Sequence, residues 1–542
     1  MFEEYKDYTI YEYLLKNTEK YHKNNALLYK GKFFTYDQLL SKVNSFAKQF
    51  TRLGFQENDI ITMCLPNIPE AVYLFYSINQ IGAISNIIHP LMNYDQLREI
   101  LLRLNSKILF ILDTRYEEFA PLEKEGITVV PVCPAHELGK FAQKFYIQTN
   151  IKKLSYLNSN NYFKIEHFYT QEDYTQYNKD AYKDSIYLHS GGTMGESKTV
   201  ALSSSSINSV CLNAYDILGI DPNYKKKMYM LSALPMFHGF GLGIGIHIPF
   251  MFGGCDCLMP KFSAKETLKL IKKKRMSVLI GVPRLFEALL HVKGFKGRKL
   301  RCLKTAFIGG DFVSDSLIDR FDSVMRKAKS ECRLLQGYGL TETVAVCAVN
   351  RIKDNKAYTV GKPLLNAKID CFDENNNKLG INQEGEICIS GDTLMNGYVF
   401  QKTKIDDPFF TYEGRKYLHT GDFGKIDEDG FVIFEQRIKR IIKVNGINIF
   451  PSEVENCVSS LPYVFQCAAI GVKDDRFGEI IKLFVVLNKN HTLKNYTQED
   501  YNKDIVENII NKCTIYAKPK EIVYLDKLPT TLIGKVDTKN LK

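Results

Sequence analysis

Between residues 36 and 53 the apolar side chains fall at Leu39, Leu40, Val43, Phe46, Ala47, Phe50 and Leu53, the spacing that gives a helix one buried face. Thr35 and Gln38 supply a capping-box pair at its start. A helix is also predicted over 9–22, and Ala26–Tyr29 with Phe33–Tyr36 read as a hairpin turning at Lys30-Gly31. Apolar runs at 60–65, 84–88, 108–112 and 128–132 then alternate with helical patterns at 69–81 and 94–104. That alternation predicts a largely parallel sheet with helices on both faces. Residues 141–185, rich in Tyr, Asn, Lys and Gln, read as a surface connection. Ile186–Leu188 and Val200–Leu202 read as two strands of a hairpin, followed by a serine-capped helix. From about Arg440 the pattern changes to an α+β unit of roughly 100 residues. Its elements are a strand at 441–444, a helix from Pro451, strands at 464–472 and 480–487, a helix near 503–512 and a strand at 521–525.

Ala233–Cys255 carries no Asp, Glu, Lys or Arg over 23 residues, about the length of a membrane span. Its six glycines, two prolines and two histidines make a poor spanning helix, so it reads as a buried, ligand-lining segment. Gly239, Gly241, Gly243 and Gly245 either leave room for a long or flat apolar acid or allow tight packing. Arg284 either points outward or pairs with a second carboxylate.

The 542 residues accommodate two or three domains, and the 45% hydrophobic and 25% charged content is ordinary for a soluble globular chain. The net charge of +11 favours anionic ligands or membrane surfaces weakly and gives no case for nucleic acid. Basic clusters at 225–227, 272–275 and 293–304 read as solvated faces, with a membrane or phosphate-binding surface as the sharper alternative. Thirteen cysteines without metal-ligand spacing, and an acidic rather than signal-like start, suit reduced thiols in a cytoplasmic protein with at most peripheral membrane contact.

The candidate chemistry begins at His189–Thr199, where glycines, hydroxyls and Lys198 together suit a polyphosphate cradle; a plain Gly/Ser loop is the alternative. Gly192–Thr199 nearly spells a P-loop, but Ser197 stands where the second glycine belongs, and a strand rather than a helix follows. Thr305–Gly310 is an apolar strand ending in Gly309-Gly310, which suits the approach of a flat ring or is a plain turn. Gln336-Gly337-Tyr338-Gly339-Leu340-Thr341-Glu342-Thr343 sets an aromatic, a hydroxyl and an acid among glycines, enough to stack a base and hold a cation. Tyr417–Asp422, the basic run Arg437–Lys443, and Leu528–Asp537 with Lys535 behind a glycine complete the set.

In this order the motifs resemble the adenylate-forming (AMP-binding) superfamily, specifically acyl-CoA synthetases of the fatty-acid and aryl-acid type. The resemblance covers nearly the whole chain. It implies a large N-terminal α/β domain of mostly parallel sheets with helices and a small β subdomain (1–438), joined by a hinge to a small α+β C-terminal domain (439–542). By the same resemblance Ser190, Gly191, Gly192, Thr193, Gly195 and Lys198 hold the β- and γ-phosphates of ATP. His238 lies at the carboxylate end of the acid pocket. Gly309, Gly310 and Tyr338 flank the adenine, within the family's Gln336-Gly337-Tyr338-Gly339 motif. Thr341 touches the α-phosphate, and Glu342 with Thr193 serves Mg²⁺. Asp422 and Arg437 grip the ribose, and Lys439 marks the hinge. Lys443–Gly446 reaches the pantetheine tunnel after rotation, and Lys535 neutralises the α-phosphate and the acid.

The chain departs from the family pattern at Met194, Ser197, Thr199, Gln436, Thr530 and Thr538. The changes at 194 and 538 remove a phosphate donor and a charge, which predicts slower adenylation. The expected activity is ATP-dependent conversion of a carboxylic acid, a medium- or long-chain fatty acid first and an aryl acid second, to acyl-AMP and then a CoA thioester. The alternatives are loading of an acyl carrier protein, or nucleotide and acyl sensing without turnover.

Overall fold

The structure is a computed structural model that describes residues 3–158, 162–170, 174–190, 198–218, 228–273, 275–311, 313–399, 407–445, 447–474, 476–488, 496–530 and 536–541. Two large sheets dominate it. In strand order the first runs Lys362–Pro363, Ala348–Val349, Leu334–Tyr338, Thr305–Ile308, Val278–Gly281, Tyr229–Ser232, Cys255–Leu258, Asn25–Tyr29 and Lys32–Thr35. The second runs Gly397–Val399, Lys198–Ser203, Asp184–Ser190, Ile84–Ile87, Ile60–Cys64, Ile108–Leu112 and Thr128–Val132. Their interiors are parallel, as the alternating pattern predicts; antiparallel strands close both margins of the first sheet and one of the second, whose other margin, Thr128–Val132, is parallel.

The predicted helix over 36–53 is Tyr36–Arg52, capped by Thr35 and Gln38, with Leu39, Val43, Phe46, Ala47 and Phe50 buried. Helix Pro69–Gln80 is buried on every side, in a core that takes side chains from both large sheets. Such a helix needs no polar face. A five-stranded sheet follows, in which Arg415–Ile426 pairs with Gly385–Gly391, Phe409–Tyr412 and Val432–Arg437. A fourth sheet, Ile447–Ile449, Ile442–Val444, Gly478–Leu487, Val464–Asp474 and Glu521–Tyr524, packs against helices Pro451–Ser459 and Gln498–Lys512 as the small α+β unit.

Two expectations need correction. Residues 141–185 are not a mere surface connection: Lys140–Asn150 is a helix, and Ile165 and Phe168 are buried in the main core. Polar composition hid the few apolar residues that anchor the segment. The four alternating glycines of 239–245 do not leave open room. A Cβ at Gly239 would lie 1.4 Å from Val344 O, and one at Gly241 would lie 2.1 Å from Pro235 O. At Gly243 and Gly245 the nearest atoms, Val344 Cγ1 and Ile280 Cδ1, stand at 3.2 and 3.1 Å. These glycines let a buried π-helix, Phe240–His247, pack against its neighbours. No helix among the described residues is long and apolar enough to cross a membrane. All thirteen cysteines are free thiols, and none is exposed. Arg284 is exposed on helix Pro283–His291 and so points away from the core.

Candidate active site

Three strand ends and one hairpin converge on a single region. Strand Thr305–Ile308 runs beside Leu334–Tyr338, and each ends in glycine-bearing backbone. A Cβ at Gly309 would meet Gly337 O at 2.8 Å, and one at Gly339 would meet Ala345 O at 2.1 Å. Gly310 turns with φ +79°, a conformation that L side chains rarely adopt. Gln336 accepts a hydrogen bond from the Asn350 N–H through its backbone carbonyl, which fixes the strand beside this turn. The result is a shallow backbone surface that any side chain at 309 or 339 would fill.

Asp422 faces that surface. It is 2% exposed, and its Oδ2 accepts a 2.7 Å hydrogen bond from the Tyr338 hydroxyl while its Oδ1 lies 3.2 Å from Arg437 Nε. The antiparallel register makes Asp422 and Arg437 direct partners. Burial raises the Asp422 carboxyl above the ordinary range, and Arg437 and Tyr338 pull it back toward the ionised form. Glu386, which the sequence did not flag, pins the turn: its Oε1 accepts from the Gly421 N–H at 2.7 Å and its Oε2 lies 2.8 Å from His419 Nδ1. The Asp422 N–H in turn donates to Thr420 Oγ1 at 3.0 Å.

A second cluster forms where strands Asp184–Ser190 and Lys198–Ser203 pair. Ser190 and Lys198 are register partners. Gly191, Gly192, Thr193 and Gly195 lie outside the described residues, as do Gly446 and Lys535. Lys198 Nζ sits 4.3 Å above the centroid of Tyr398, whose hydroxyl donates to Glu342 Oε1 at 2.9 Å. Tyr398 belongs to Gly397–Val399, which pairs antiparallel with Lys198–Ser203. Thus Lys198 and Glu342, 144 positions apart, meet through a tyrosine that no local pattern marked. Glu342 offers a carboxylate oxygen, the donor type that Mg²⁺ takes.

Glu342 sits in the short turn Thr341–Thr343, which ends at Val344 with φ +64° and ψ −64°. For a β-branched residue that backbone is strained. Val344 O is the atom that would clash with a Cβ at Gly239, so the strained turn and the segment after His238 are locked together. His238 is half-buried beside Phe237, with ring centroids 4.5 Å apart. The structure thus brings Lys198, Gly309, Gly310, Tyr338, Thr341, Glu342, His238, Asp422 and Arg437 into connected strand ends and turns. Lys439 and Lys443 have exposed side chains, and the Lys443 N–H donates to Glu479 Oε2 at 2.7 Å. The small unit touches the site's rim through Ser452, whose hydroxyl donates to Glu435 O at 2.6 Å, and through Phe450, stacked on Phe423 at 5.8 Å.

Comparison with known proteins gives a consistent assignment. The family model of the AMP-binding enzymes matches residues 14–399, and that of the AMP-binding enzyme C-terminal domain matches residues 453–535. A Dictyostelium discoideum protein named "Probable 4-coumarate--CoA ligase 3" is 28% identical, over 96% of this chain and 93% of its own. The long-chain-fatty-acid–CoA ligase of Bacillus subtilis is 26% identical, over 98% of this chain and 94% of its own. The fold matches ATP-bound MatB from Rhodopseudomonas palustris with a TM-score of 0.81 and 21% identity, over 98% of both chains.

Proposed function

We propose that this chain, which belongs to the AMP-binding enzyme family, is an acid–CoA ligase. It joins a carboxylic acid to the α-phosphorus of ATP, releases pyrophosphate, and then passes the acyl group to the thiol of CoA. The observation that carries this reading is the convergence of two clusters, Tyr338–Asp422–Arg437 and Lys198–Tyr398–Glu342, on one set of strand ends. Their chemistry fits the two ends of a nucleotide: a buried carboxylate for the ribose hydroxyls, and a lysine with an acid for polyphosphate and its cation.

In this mechanism the backbone at Gly309, Gly310 and Gly339 receives the adenine beside Tyr338, and Asp422 accepts from the ribose hydroxyls. Ser190, Lys198 and the 191–197 loop hold the β- and γ-phosphates. Glu342 and Thr193 hold Mg²⁺, which supplies charge stabilisation when bound. Bringing an acid carboxylate to a phosphate sets two anions together, so Lys535 aims its charge at the α-phosphate while Thr341 orients it. His238 closes the carboxylate end of the acid pocket. For the second half-reaction the 439–542 unit turns about Lys439 against the 1–438 core, withdrawing Lys535 and bringing Lys443–Gly446 to the incoming thiol.

The acid is apolar and carries no second charge, because Phe237–Phe252 contains no Asp, Glu, Lys or Arg. The packed glycines take away the room that favoured a long chain, which puts an aryl acid of the coumarate kind on equal footing with a medium- or long-chain fatty acid. The acceptor is CoA; an acyl carrier protein is the competing acceptor. The test is ATP–pyrophosphate exchange over a panel of aryl and fatty acids, followed by addition of CoA or of a carrier protein. Acid-dependent exchange that Asp422→Ala abolishes supports the reading. Tight ATP binding with no exchange for any acid identifies a sensor and overturns it.

A further inference from the structure

At the sheet margins opposite the nucleotide end, buried polar atoms face one another without hydrogen-bond partners. Strands Lys32–Thr35 and Thr128–Val132 are the last strands of the two large sheets on that side. Between them lie Glu70, in the first turn of helix Pro69–Gln80, and His136 with Glu137, in the turn His136–Leu138. Glu70 is 0% exposed, and neither of its carboxylate oxygens has a hydrogen-bond partner. The same holds for Glu137 Oε1, His136 Nδ1, Tyr73 OH and Tyr169 OH. One ligand atom from each of Glu70, His136 and Glu137 lies within 4.8 Å of the others.

A buried, unpaired carboxylate costs several kcal/mol, so a fold that keeps two together must supply a proton, water or a cation. The donor set favours the cation. Two carboxylates balance a 2+ charge, and one imidazole selects a borderline transition metal over a hard ion such as Ca²⁺. His136 turns its Nδ1 toward Glu70 Oε1, 3.8 Å away. Its other nitrogen, Nε2, lies 3.9 Å from Glu166 Oε1, the kind of outer carboxylate that steadies a metal-bound histidine. Lys32 stands 3.7 Å from Glu137 Oε2 and occupies the outer oxygen, leaving Oε1 to the interior. Tetrahedral coordination at about 2.0–2.1 Å sets ligand atoms about 3.4 Å apart, an inward movement of roughly 1 Å from the present positions.

We propose that Glu70, His136 and Glu137 form a structural site for one divalent transition-metal ion of the zinc class. The ion ties helix Pro69–Gln80 to the segment following Thr128–Val132. The site lies among residues that take no part in nucleotide or acid binding, so its failure and that of the ligase reading are distinguishable. The test strips the full-length protein with EDTA, reloads it with zinc sulfate, desalts it and counts metal by mass spectrometry. One zinc per chain is expected in the wild type, with at least a tenfold loss of retained metal in Glu70→Gln and in His136→Gln. His136 is 19% exposed, so its replacement leaves a folded control, checked by circular dichroism and by unchanged pyrophosphate exchange. Cobalt(II) loading separates this site from the thiols: a visible ligand-field band without thiolate charge transfer is expected. Folded wild type that retains no zinc, variants that retain as much as wild type, or a cobalt spectrum dominated by thiolate charge transfer would each overturn the proposal.

Discussion

Tyr398→Phe is the sharpest probe of the proposed phosphate end, because it deletes one O–H and leaves the ring beneath Lys198. The lost contact is the 2.9 Å hydrogen bond to Glu342 Oε1. Burial and the nearby carboxylate raise the Tyr398 phenol, so it is a donor at all working pH values. A hydrogen bond to a charged acceptor contributes about 1.5–3 kcal/mol. Tyr398 is only half-buried, so the lower end applies, and about 1.5 kcal/mol corresponds to roughly a tenfold slower adenylation. Tyr398→Ala also removes the aromatic face 4.3 Å from Lys198 Nζ, a further loss of about 0.5–1 kcal/mol. The assay is the initial rate of acid-dependent ATP–pyrophosphate exchange across a magnesium titration, beside thioester formation from supplied acyl-AMP. Exchange should fall, recovering partly at high magnesium, while the thioester step holds. A Tyr398→Phe enzyme exchanging at the wild-type rate would show that Glu342 is not positioned by this contact.

Lys535→Ala should slow adenylation by about two to four orders of magnitude, the scale of losing one charge-stabilising donor. It should spare thioester formation from supplied acyl-AMP, and equal loss in both steps would remove its assigned role. Gly239→Ala places a Cβ 1.4 Å from Val344 O; overpacking of this kind costs about 1–3 kcal/mol or more, and a variant melting with the wild type would contradict the packing. His247 is fully buried between Tyr76 and Asn208, and burial pushes its pKa from 6.5 down to about 3. The unfolded chain binds this proton more readily, so the stability is present above pH 6.5 and is lost as pH falls from there toward 3. At pH 5 the loss is about 2 kcal/mol, read as a lower urea midpoint than at pH 7.5. His247→Gln should flatten that slope, and an unchanged slope would assign it to other groups.

How much of this was legible in the sequence depends on how far apart the interacting residues lie. The helix Tyr36–Arg52 and its capping box, the hairpin Asp184–Ser190 with Lys198–Ser203, and the parallel strands from 60 to 132 follow from patterns within a few residues. Tyr398 left no such mark. Its partner Glu342 is 56 positions away, and the contact exists only because Gly397–Val399 joins the sheet margin beside Lys198–Ser203. Glu386 is similar: it acts on Gly421 across a strand pair, 35 positions on. The glycines of 239–245 show the opposite limit. A missing side chain looks the same in sequence whether it leaves a cavity or admits a neighbour, and only the position of Val344 O decides. That atom sits where it does because Val344 holds a strained backbone at the end of the Thr341–Thr343 turn. Relaxing the strain would shift that carbonyl and the Thr341–Thr343 turn together. The segment after His238 and the Thr341–Thr343 turn are therefore one mechanical unit, and by the proposed mechanism a substitution at Gly239 should disturb ATP handling as well as acid choice.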